Sequence, residues 1–236
     1  MTEVAVQLQA AFILQYKKYR ESSLILDVMT QDFGRVPILA KGVRKVKSKT
    51  AGILQPFIPL KLSFVGKASL KLLTGVEAQQ PAFQLTGLAW YCGFYLNELL
   101  EVFLHPYDPH PEVFVEYQQC LSALASSPDQ IESALRLFEY RLLEYIGYGL
   151  VLDCEADTEY PIVADKKYFF KPGLGIVAAE NGLFSGASLL ALKHNVLTEP
   201  SILAEIKQLM RIVIEAQLQG RALKSRAVIN QIIKKL

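Results

Sequence analysis

The spacing of apolar residues changes near residue 81. Before that point, short runs rich in Val, Ile, Leu and Phe alternate with turn residues, which is the pattern of β-strands. The predicted strands cover residues 7–15, 23–30, 34–40, 57–65 and 69–76. Five short strands in one small domain predict a closed barrel, and the oligonucleotide-binding (OB) fold is the five-stranded barrel of this size.

Beyond Pro81 the apolar residues recur every three or four positions, as in helices. The predicted helices cover residues 85–104, 112–125, 129–146, 188–194 and 202–218, with a last short helix capped by Ser225. Residues 150–182 are irregular, with a possible hairpin near 168–177. The predicted fold class is therefore α+β. A five-stranded OB-fold barrel at 1–80 precedes a mostly α-helical domain at 81–236.

The window 85–104 is the most apolar stretch, but Asn97, Glu98 and Glu101 interrupt it. We therefore expect a buried helix and not a membrane span. A buried Asn and Glu at such positions are expected to satisfy the end of a neighbouring helix. The first residues are acidic where a secretory signal is positively charged, so no signal peptide is expected.

Charge is sorted along the chain in three blocks. Residues 1–75 hold 12 Lys or Arg against 4 Asp or Glu, residues 76–206 hold 6 against 18, and residues 207–236 hold 7 against 1. The first block contains the run 41–49, with five cations in nine residues and no acid. Such a surface attracts phosphate backbones, and with the whole first block at +8 we favour nucleic acid over a merely solvated loop.

Tyr16 and Tyr19 flank cations in the first block, which is how single strands are held by stacking beside a basic groove. Covering the edge of the barrel explains the two rings equally well. The residues predicted to bind nucleic acid are Lys17, Lys18, Arg20, Arg35, Lys41, Arg44, Lys45, Lys47 and Lys49. The cations Arg221, Lys224 and Arg226 near the C-terminus either extend this surface or complement the acidic middle block.

Residues for catalysis or metal binding form no convincing set. The chain has no phosphate-binding loop, its three histidines lie in loops or alone, and its serines lack the context of a nucleophile. Cys92, Cys120 and Cys154 are too widely separated for a zinc or disulfide framework, which fits a reducing cytoplasm. The acidic stretch 153–159 is expected to be a solvated loop. No catalytic residue, cofactor or metal is therefore predicted.

A series of motifs resembles one bacterial family. The motifs run in order through Ala11–Leu14, Tyr19–Leu24, Gly34, Lys41–Gly42 with Arg44, Leu54–Phe57, Tyr95–Leu100, Leu135–Glu139, Leu142–Tyr148 and Gly220–Arg226. Together they resemble the RecO family of DNA repair proteins, which are recombination mediators. No single motif is diagnostic, but the ordered set spans nearly the whole chain.

The resemblance implies a non-enzymatic protein that binds single- and double-stranded DNA and anneals complementary strands without nucleotide hydrolysis. It also implies docking on the acidic C-terminal tail of single-stranded-DNA-binding protein, and loading of RecA together with RecR. Some members carry a four-cysteine zinc site after the glycine–tyrosine motif. Here that stretch offers only Cys154, so we expect no zinc, since a structural site needs four ligands.

The partner tail is expected to dock near Arg136, with Arg141 as a second candidate. Few cations lie in the acidic middle block, and an arginine in an apolar helix can grip a carboxylate with two nitrogens. The competing explanation is a helix ion pair between Arg136 and Glu132, four residues earlier.

The expected location is the cytoplasm, associated with the nucleoid and without membrane contact. The main alternative function is an OB-fold RNA-binding or translation-associated factor, which would prefer structured RNA. A hydrolase with an unrecognised site is the third possibility, and it would show turnover or nucleotide binding.

Overall fold

The computed structural model describes residues 4–45, 48, 50–126 and 128–233. Its strands are β1 Val4–Tyr19, β2 Ser23–Thr30, β3 Gly34–Ala40, β4 Leu60–Gly66, β5 Lys71–Ala78, β6 Lys167–Lys171, β7 Gly175–Ala178 and β8 Phe184–Ser185. Its helices are α1 Gly87–Phe103, α2 Pro111–Ser126, α3 Ile131–Tyr145, α4 Gly186–Lys193, α5 Pro200–Gln217 and α6 Lys224–Ile233. The predicted fold class, a five-stranded barrel followed by a mostly helical region, is confirmed.

The first five strands close into a barrel in the order β1-β2-β3-β5-β4, and β4 pairs with β1 to complete it. All pairings are antiparallel except β3 with β5, which run parallel at Ile38 and Leu39. Buried positions alternate along β2, β3 and β4. Every second side chain therefore enters one core, which includes Leu26, Ile38 and Phe64.

Strand β1 is buried on both of its faces in its middle. Ala11 and Ile13 belong to the barrel core, whereas Phe12 lies with its ring 5.4 Å from that of Phe114 and 5.2 Å from that of Tyr117, both on α2. A strand covered on both faces needs a continuous apolar run instead of alternation. The sequence Ala10–Leu14 is such a run, so the outer face of β1 carries α2.

A register shift in β1 at Leu14 leaves a carbonyl for another partner. The side-chain amide of Asn97 on α1 donates to Leu14 O at 2.7 Å, and Asn97 Oδ1 accepts from the Tyr117 hydroxyl at 2.6 Å. Burial raises the pKa of Tyr117 well above its ordinary value, which keeps the phenol a neutral donor. Asn97 thus ties β1, α1 and α2 together.

Glu98 satisfies the beginning of α6. Its carboxylate accepts from the backbone N–H groups of Lys224 and Ser225, each at 2.8 Å, and from the Ser225 hydroxyl. These N–H groups have no partner inside their own helix, and a carboxylate there also complements the helix dipole. The expectation of a bond to a neighbouring helix end is confirmed for Glu98 and wrong for Asn97, which binds the carbonyl of Leu14 on a strand. The cap of α6 is Glu98 and not Ser225.

Two compact units can be distinguished, Met1–Ser126 with Leu223–Leu236, and Ser127–Ala222. The first contains the barrel, α1, α2 and α6. The second contains α3, α4, α5 and the three-stranded sheet β7-β6-β8. The predicted domain boundary after residue 80 stays a prediction. In this structure the helices α1 and α2, which follow that boundary, belong to the same compact unit as the barrel.

The acidic stretch 153–159 lies in the second unit, and the expectation of a solvated loop is wrong for one member. Asp157 and Glu159 are exposed, but Glu155 is buried. Its carboxylate accepts from the Thr158 hydroxyl at 2.5 Å and pairs with Lys166 at 3.5 Å. A buried carboxylate needs such partners. Glu155 therefore belongs to the packed part of this segment.

Candidate nucleic-acid interface

The β1–β2 hairpin presents the first group of predicted cations. Strand β1 continues to Tyr19, which pairs with Ser23, so Lys17 and Lys18 lie on a strand and Arg20 lies in the turn. All three cations are exposed. Because side chains alternate along a strand, Lys17 and Lys18 project to opposite faces of the hairpin.

The connection after β3 brings the second group to the same end of the barrel. The Arg44 backbone N–H donates to Ser22 O at 2.9 Å, and its guanidinium donates to Arg20 O at 3.1 Å. The start of the connection is thereby fixed to the hairpin tip. Between them lies an open depression of about 700 Å³, here called the basic groove. It is lined by Tyr19, Arg20, Glu21, Ser22, Ser23, Leu39, Lys41, Gly42 and Lys45.

The electrostatics of the basic groove favour an anionic ligand. Among the described residues that line it, Glu21 is the single acid. Within the described ranges, Lys17, Lys18, Lys41 and Lys45 form no ion pair. The Arg20 guanidinium lies 5.3 Å from the centre of the Tyr19 ring, a cation–π contact that leaves its N–H donors available. Lys47 and Lys49 lie outside the described residues.

Arg35 is placed differently from the other predicted DNA-binding residues. Its guanidinium pairs with Asp27 at 2.5 Å and donates to the carbonyls of Glu101 at 2.5 Å and Leu104 at 2.8 Å. Those carbonyls belong to the C-terminal end of α1, where a cation stabilises the helix. The geometry thus gives Arg35 a structural role, and contact with DNA stays a prediction for this residue.

A smaller cleft beside Arg35 was not predicted from the sequence. Its volume is about 260 Å³, and its lining includes Tyr16, Lys17, Asp27, Pro37 and Pro106. The Tyr16 side chain is 47% exposed, so its ring is available to a ligand. The pairing of β1 with β2 places Gln15 opposite Asp27 and Tyr16 opposite Leu26, but Pro106 comes from a distant segment that carries no sequence signal.

Gly34 explains how that distant segment reaches the barrel. Gly34 has a φ of +66°, and a Cβ there would collide with the backbone of Asp108. The backbone N–H of Tyr107 donates to Arg35 O at 2.9 Å. Gly34 therefore combines a left-handed turn with the close approach of residues 106–108.

The two arginines predicted to bind a partner tail lie on α3. The Arg136 side chain is 8% exposed and pairs with Glu139 at 3.0 Å and Glu132 at 3.4 Å. Arg141 is more accessible, pairs with Glu144 at 2.6 Å and donates to Asn195 Oδ1 at 3.3 Å. The alternative explanation for Arg136, a helix ion pair with Glu132, is present. Tail binding stays a prediction.

The residues that the structure describes also bear on metal ligands and membrane-spanning helices. Among the described residues, no three His, Cys, Asp or Glu side chains are grouped to hold a metal ion. Cys154 lies in an isolated β-bridge with Pro161, and His110 is 3.3 Å from Asp108. Of the helices in the described ranges, none has the length and apolarity that crossing a bilayer requires.

Comparison with known proteins gives matches along almost the whole chain. The family profile described as Recombination protein O N terminal matches residues 3–82, and the one described as Recombination protein O C terminal matches residues 84–227. A DNA repair protein RecO from Coxiella burnetii is 41% identical, covering 95% of this chain and 98% of the relative. The protein of the same name from Methylococcus capsulatus is 43% identical, covering 94% and 92%.

Proposed function

The chain belongs to the RecO family of DNA repair proteins, and from that premise we propose that it is a non-enzymatic mediator that binds DNA at the basic groove. The observation that supports this most directly is the convergence of Lys41, Arg44 and Lys45 on the hairpin tip at Arg20. Two segments separated in the sequence thus form one cationic surface. Phosphate contacts of this kind supply affinity without sequence preference.

The proposed ligands are single- and double-stranded DNA. Single strands have an additional opportunity here, because Tyr16 and Tyr19 lie beside the cations and can stack on unpaired bases. Lys47 and Lys49, which continue the basic run, are proposed to contact the same phosphate backbone. Arg35 is proposed to act indirectly, by holding the barrel against the end of α1.

The test is DNA binding measured across a range of salt concentrations. With about five phosphate contacts, the slope of log K against log salt for single strands should be roughly −3 to −4. The triple variant Lys45→Glu, Lys47→Glu, Lys49→Glu should have a flatter slope and weaker binding. The control is the triple variant Lys171→Glu, Lys207→Glu, Arg211→Glu, which changes the charge by the same amount. Its three positions are exposed and lie in the second compact unit, residues 127–222. Equal slopes for both triple variants would remove the groove from the DNA site.

Competition with transfer RNA tests the main alternative, an RNA-binding or translation-associated factor. The recombination-mediator function predicts that single-stranded DNA competes at least as well as transfer RNA of equal nucleotide content. Preferential binding of the folded RNA would favour the alternative. Nucleotide hydrolysis by the purified protein would instead support the hydrolase.

We further propose that the protein anneals complementary strands without ATP. A cationic surface lowers the repulsion between two phosphate backbones, so that base pairing itself drives the reaction. Annealing followed with a fluorescent duplex reporter should proceed without nucleotide and in the presence of a chelator. A requirement for ATP or for a chelatable metal would contradict the non-enzymatic mechanism and the expected absence of zinc.

The proposed protein partners are the acidic tail of single-stranded-DNA-binding protein, RecR and, indirectly, RecA. For the tail we propose α3 as the docking helix. Arg141 is the more accessible candidate, whereas a carboxylate approaching Arg136 would compete with Glu132. Calorimetry of a tail peptide should show weaker binding to Arg136→Ala and Arg141→Ala but not to Lys171→Ala. Unchanged affinity for both arginine variants would place the tail elsewhere.

A further inference from the structure

Helix α1 carries two exposed aromatic side chains that neither the barrel core nor the basic groove explains. Trp90 is 42% exposed and Phe94, one helical turn later, is 37% exposed. Their ring centres lie 5.3 Å apart, with the planes at 76°. Exposed Trp and Phe side chains that touch each other form an apolar patch, which usually marks a binding surface.

The pair rests on a rigid support. Phe57 is fully buried, and its ring lies 5.4 Å from that of Trp90 and 5.1 Å from that of Phe94. A Cβ on Gly93 would come within 2.8 Å of the Phe57 ring, so the lack of a side chain at Gly93 is what admits the ring against α1. The two exposed rings are thereby held in place before any ligand arrives, which lowers the entropy cost of binding.

Cations lie on one side of the aromatic pair. One further turn along α1 from Phe94 is Glu98, which binds the first N–H groups of α6. This contact fixes the exposed Lys224 and the partly exposed Arg226 close to the α1 surface. Arg226 also donates to the Tyr95 hydroxyl at 3.2 Å. The carboxylate of Glu98 is itself engaged by these N–H groups.

The basic run 41–49 precedes Trp90 in the sequence, whereas Lys224 and Arg226 follow it. The connection between β3 and β4 begins with Lys41, Arg44 and Lys45 and later contains Phe57, the residue on which both exposed rings rest. Phe57 has a φ of +66°, a backbone conformation that is rare for a bulky residue. The chain therefore turns sharply where the connection meets α1. The aromatic pair thus rests on the connection whose first residues line the basic groove, and its helix binds the start of α6, all within one compact unit.

We propose that Trp90 and Phe94 stack on unpaired bases of a single strand, while Lys224 and Arg226 contact its phosphates. Aromatic rings beside cations are the arrangement by which proteins hold single strands without sequence preference. This inference rests on the proposed DNA binding and extends it beyond the barrel. It also assigns the cations of the C-terminal helix to DNA instead of to the acidic middle block. A protein partner or a second copy of the chain would use the same rings without the cations.

Trp90 is the only tryptophan in the chain, so its fluorescence reports on the patch directly. An oligothymidylate that stacks on the indole should quench the emission. An abasic strand of equal length, which offers phosphates without bases, should bind through the cations but leave the emission nearly unchanged. Equal emission changes with both strands, or binding of the oligothymidylate with unchanged emission, would overturn the proposal.

Variants separate the bases from the phosphates. Phe94→Leu should weaken oligothymidylate binding about tenfold, because the variant loses a ring on which a base stacks, and should leave the salt slope unchanged. Lys224→Gln with Arg226→Gln should reduce the slope by about 1.4, since each phosphate contact contributes roughly 0.7. Leu88→Ala, a partly exposed neighbour on α1, is the control and should change neither quantity.

The remaining outcomes are also distinguishable. If neither strand binds to the protein at any salt concentration, the proposed function itself fails, and the stacking role fails with it. If Phe94→Leu and the double cation variant bind single strands as the parent does, DNA binding stands and the aromatic patch is excluded from it. An emission change that follows protein concentration without DNA would assign the patch to self-association.

Discussion

The basic groove and helix α3 both carry arginines that stand out in the sequence, but they surround these arginines differently. At the groove, Arg20 and Arg44 lie among cations, with Glu21 as the acid that lines the surface. On α3, Arg136 is enclosed by Glu132 and Glu139, and the Glu139 side chain is 0% exposed. Sequence context alone gives both regions the appearance of binding sites.

The two regions differ in what surrounds each charge, which is water at the groove and protein carboxylates on α3. Exposed cations keep their water and can exchange it for phosphate at little cost, whereas a buried pair has already lost its water and depends on its protein partners. Changes at the groove are therefore expected to alter DNA binding with little effect on stability. Changes on α3 should alter stability and leave DNA binding as it is.

The largest expected effect is at the buried pair on α3. Glu139→Ala leaves the Arg136 guanidinium buried without one of its carboxylates and should lower the free energy of unfolding by about 3 kcal/mol. Denaturant unfolding measures this change. The salt slope of DNA binding should remain that of the parent.

Glu144→Ala is the matched control for this prediction. Glu144 pairs with Arg141 at the surface, so its loss should cost less than about 1 kcal/mol. In the double variant Arg136→Met, Glu139→Ala, much of the lost stability should return, since no unpaired charge remains buried. Equal costs at Glu139 and Glu144 would contradict the distinction between buried and exposed pairs.

A variant of Arg35 tests whether a cation of the barrel stabilises the fold instead of binding DNA. Arg35→Ala removes an ion pair with Asp27 and the donors to two carbonyls of α1, and should lower the free energy of unfolding by about 2 kcal/mol. The slope of DNA binding against salt should not change, because the guanidinium is occupied. A variant of parental stability with a flatter slope would return Arg35 to the DNA-binding set.

The sequence predicted the barrel well because each strand has to bury every second side chain. Strands β2 and β3 begin and end at the predicted residues. Strand β1 extends four residues beyond its predicted end, because the polar segment from Tyr16 to Tyr19 is held by backbone pairing with β2, which leaves no apolar signal. The two-residue strand β8 is too short to show a period.

The candidate site was less accessible to prediction, because it depends on contacts between distant segments. The cationic composition of residues 17–20 and 41–45 was visible, but the bonds from Arg44 to Arg20 and Ser22 were not. Arg35 has the same sequence context as a DNA-binding arginine, and its carbonyl partners lie on a helix more than sixty residues away. Burial of Glu155 likewise depends on Lys166 and could not be inferred from an acidic run.

A single cation of the hairpin should have a moderate effect on binding and almost none on stability. Lys17→Gln removes one exposed charge, and one phosphate contact fewer should reduce the salt slope by about 0.7, or weaken binding roughly fivefold at 0.1 M salt. The free energy of unfolding should stay within about 0.5 kcal/mol of the parent. Lys171→Gln, an exposed lysine of the other unit, should leave both quantities unchanged. If Lys17→Gln lowered the free energy of unfolding as much as Arg35→Ala does, exposed DNA-binding cations and buried structural cations would no longer differ.

The smallest expected effect concerns Glu101, a partly buried carboxyl on α1. Burial and the nearby Asp27 raise the pKa of Glu101 to about 7, although Arg35 opposes the rise. In the unfolded chain the pKa is near its ordinary value of 4.5, so the folded state holds the proton more tightly. The resulting stabilisation is complete below pH 4.5 and is lost as the pH rises to about 7.

Glu101→Gln imitates the protonated carboxyl at every pH. The free energy of unfolding of the parent should therefore fall more steeply between pH 4.5 and 7 than that of the variant, with the variant the more stable above pH 7. Because Glu101 is partly open to solvent, screening should keep the difference below about 1 kcal/mol. Glu77→Gln, at an exposed position of β5, should follow the parent. If the free energy of unfolding of the parent and of Glu101→Gln changed in parallel with pH, Arg35 would neutralise Glu101 as well as pair with Asp27. Glu101 would then be a paired carboxylate, like Asp27.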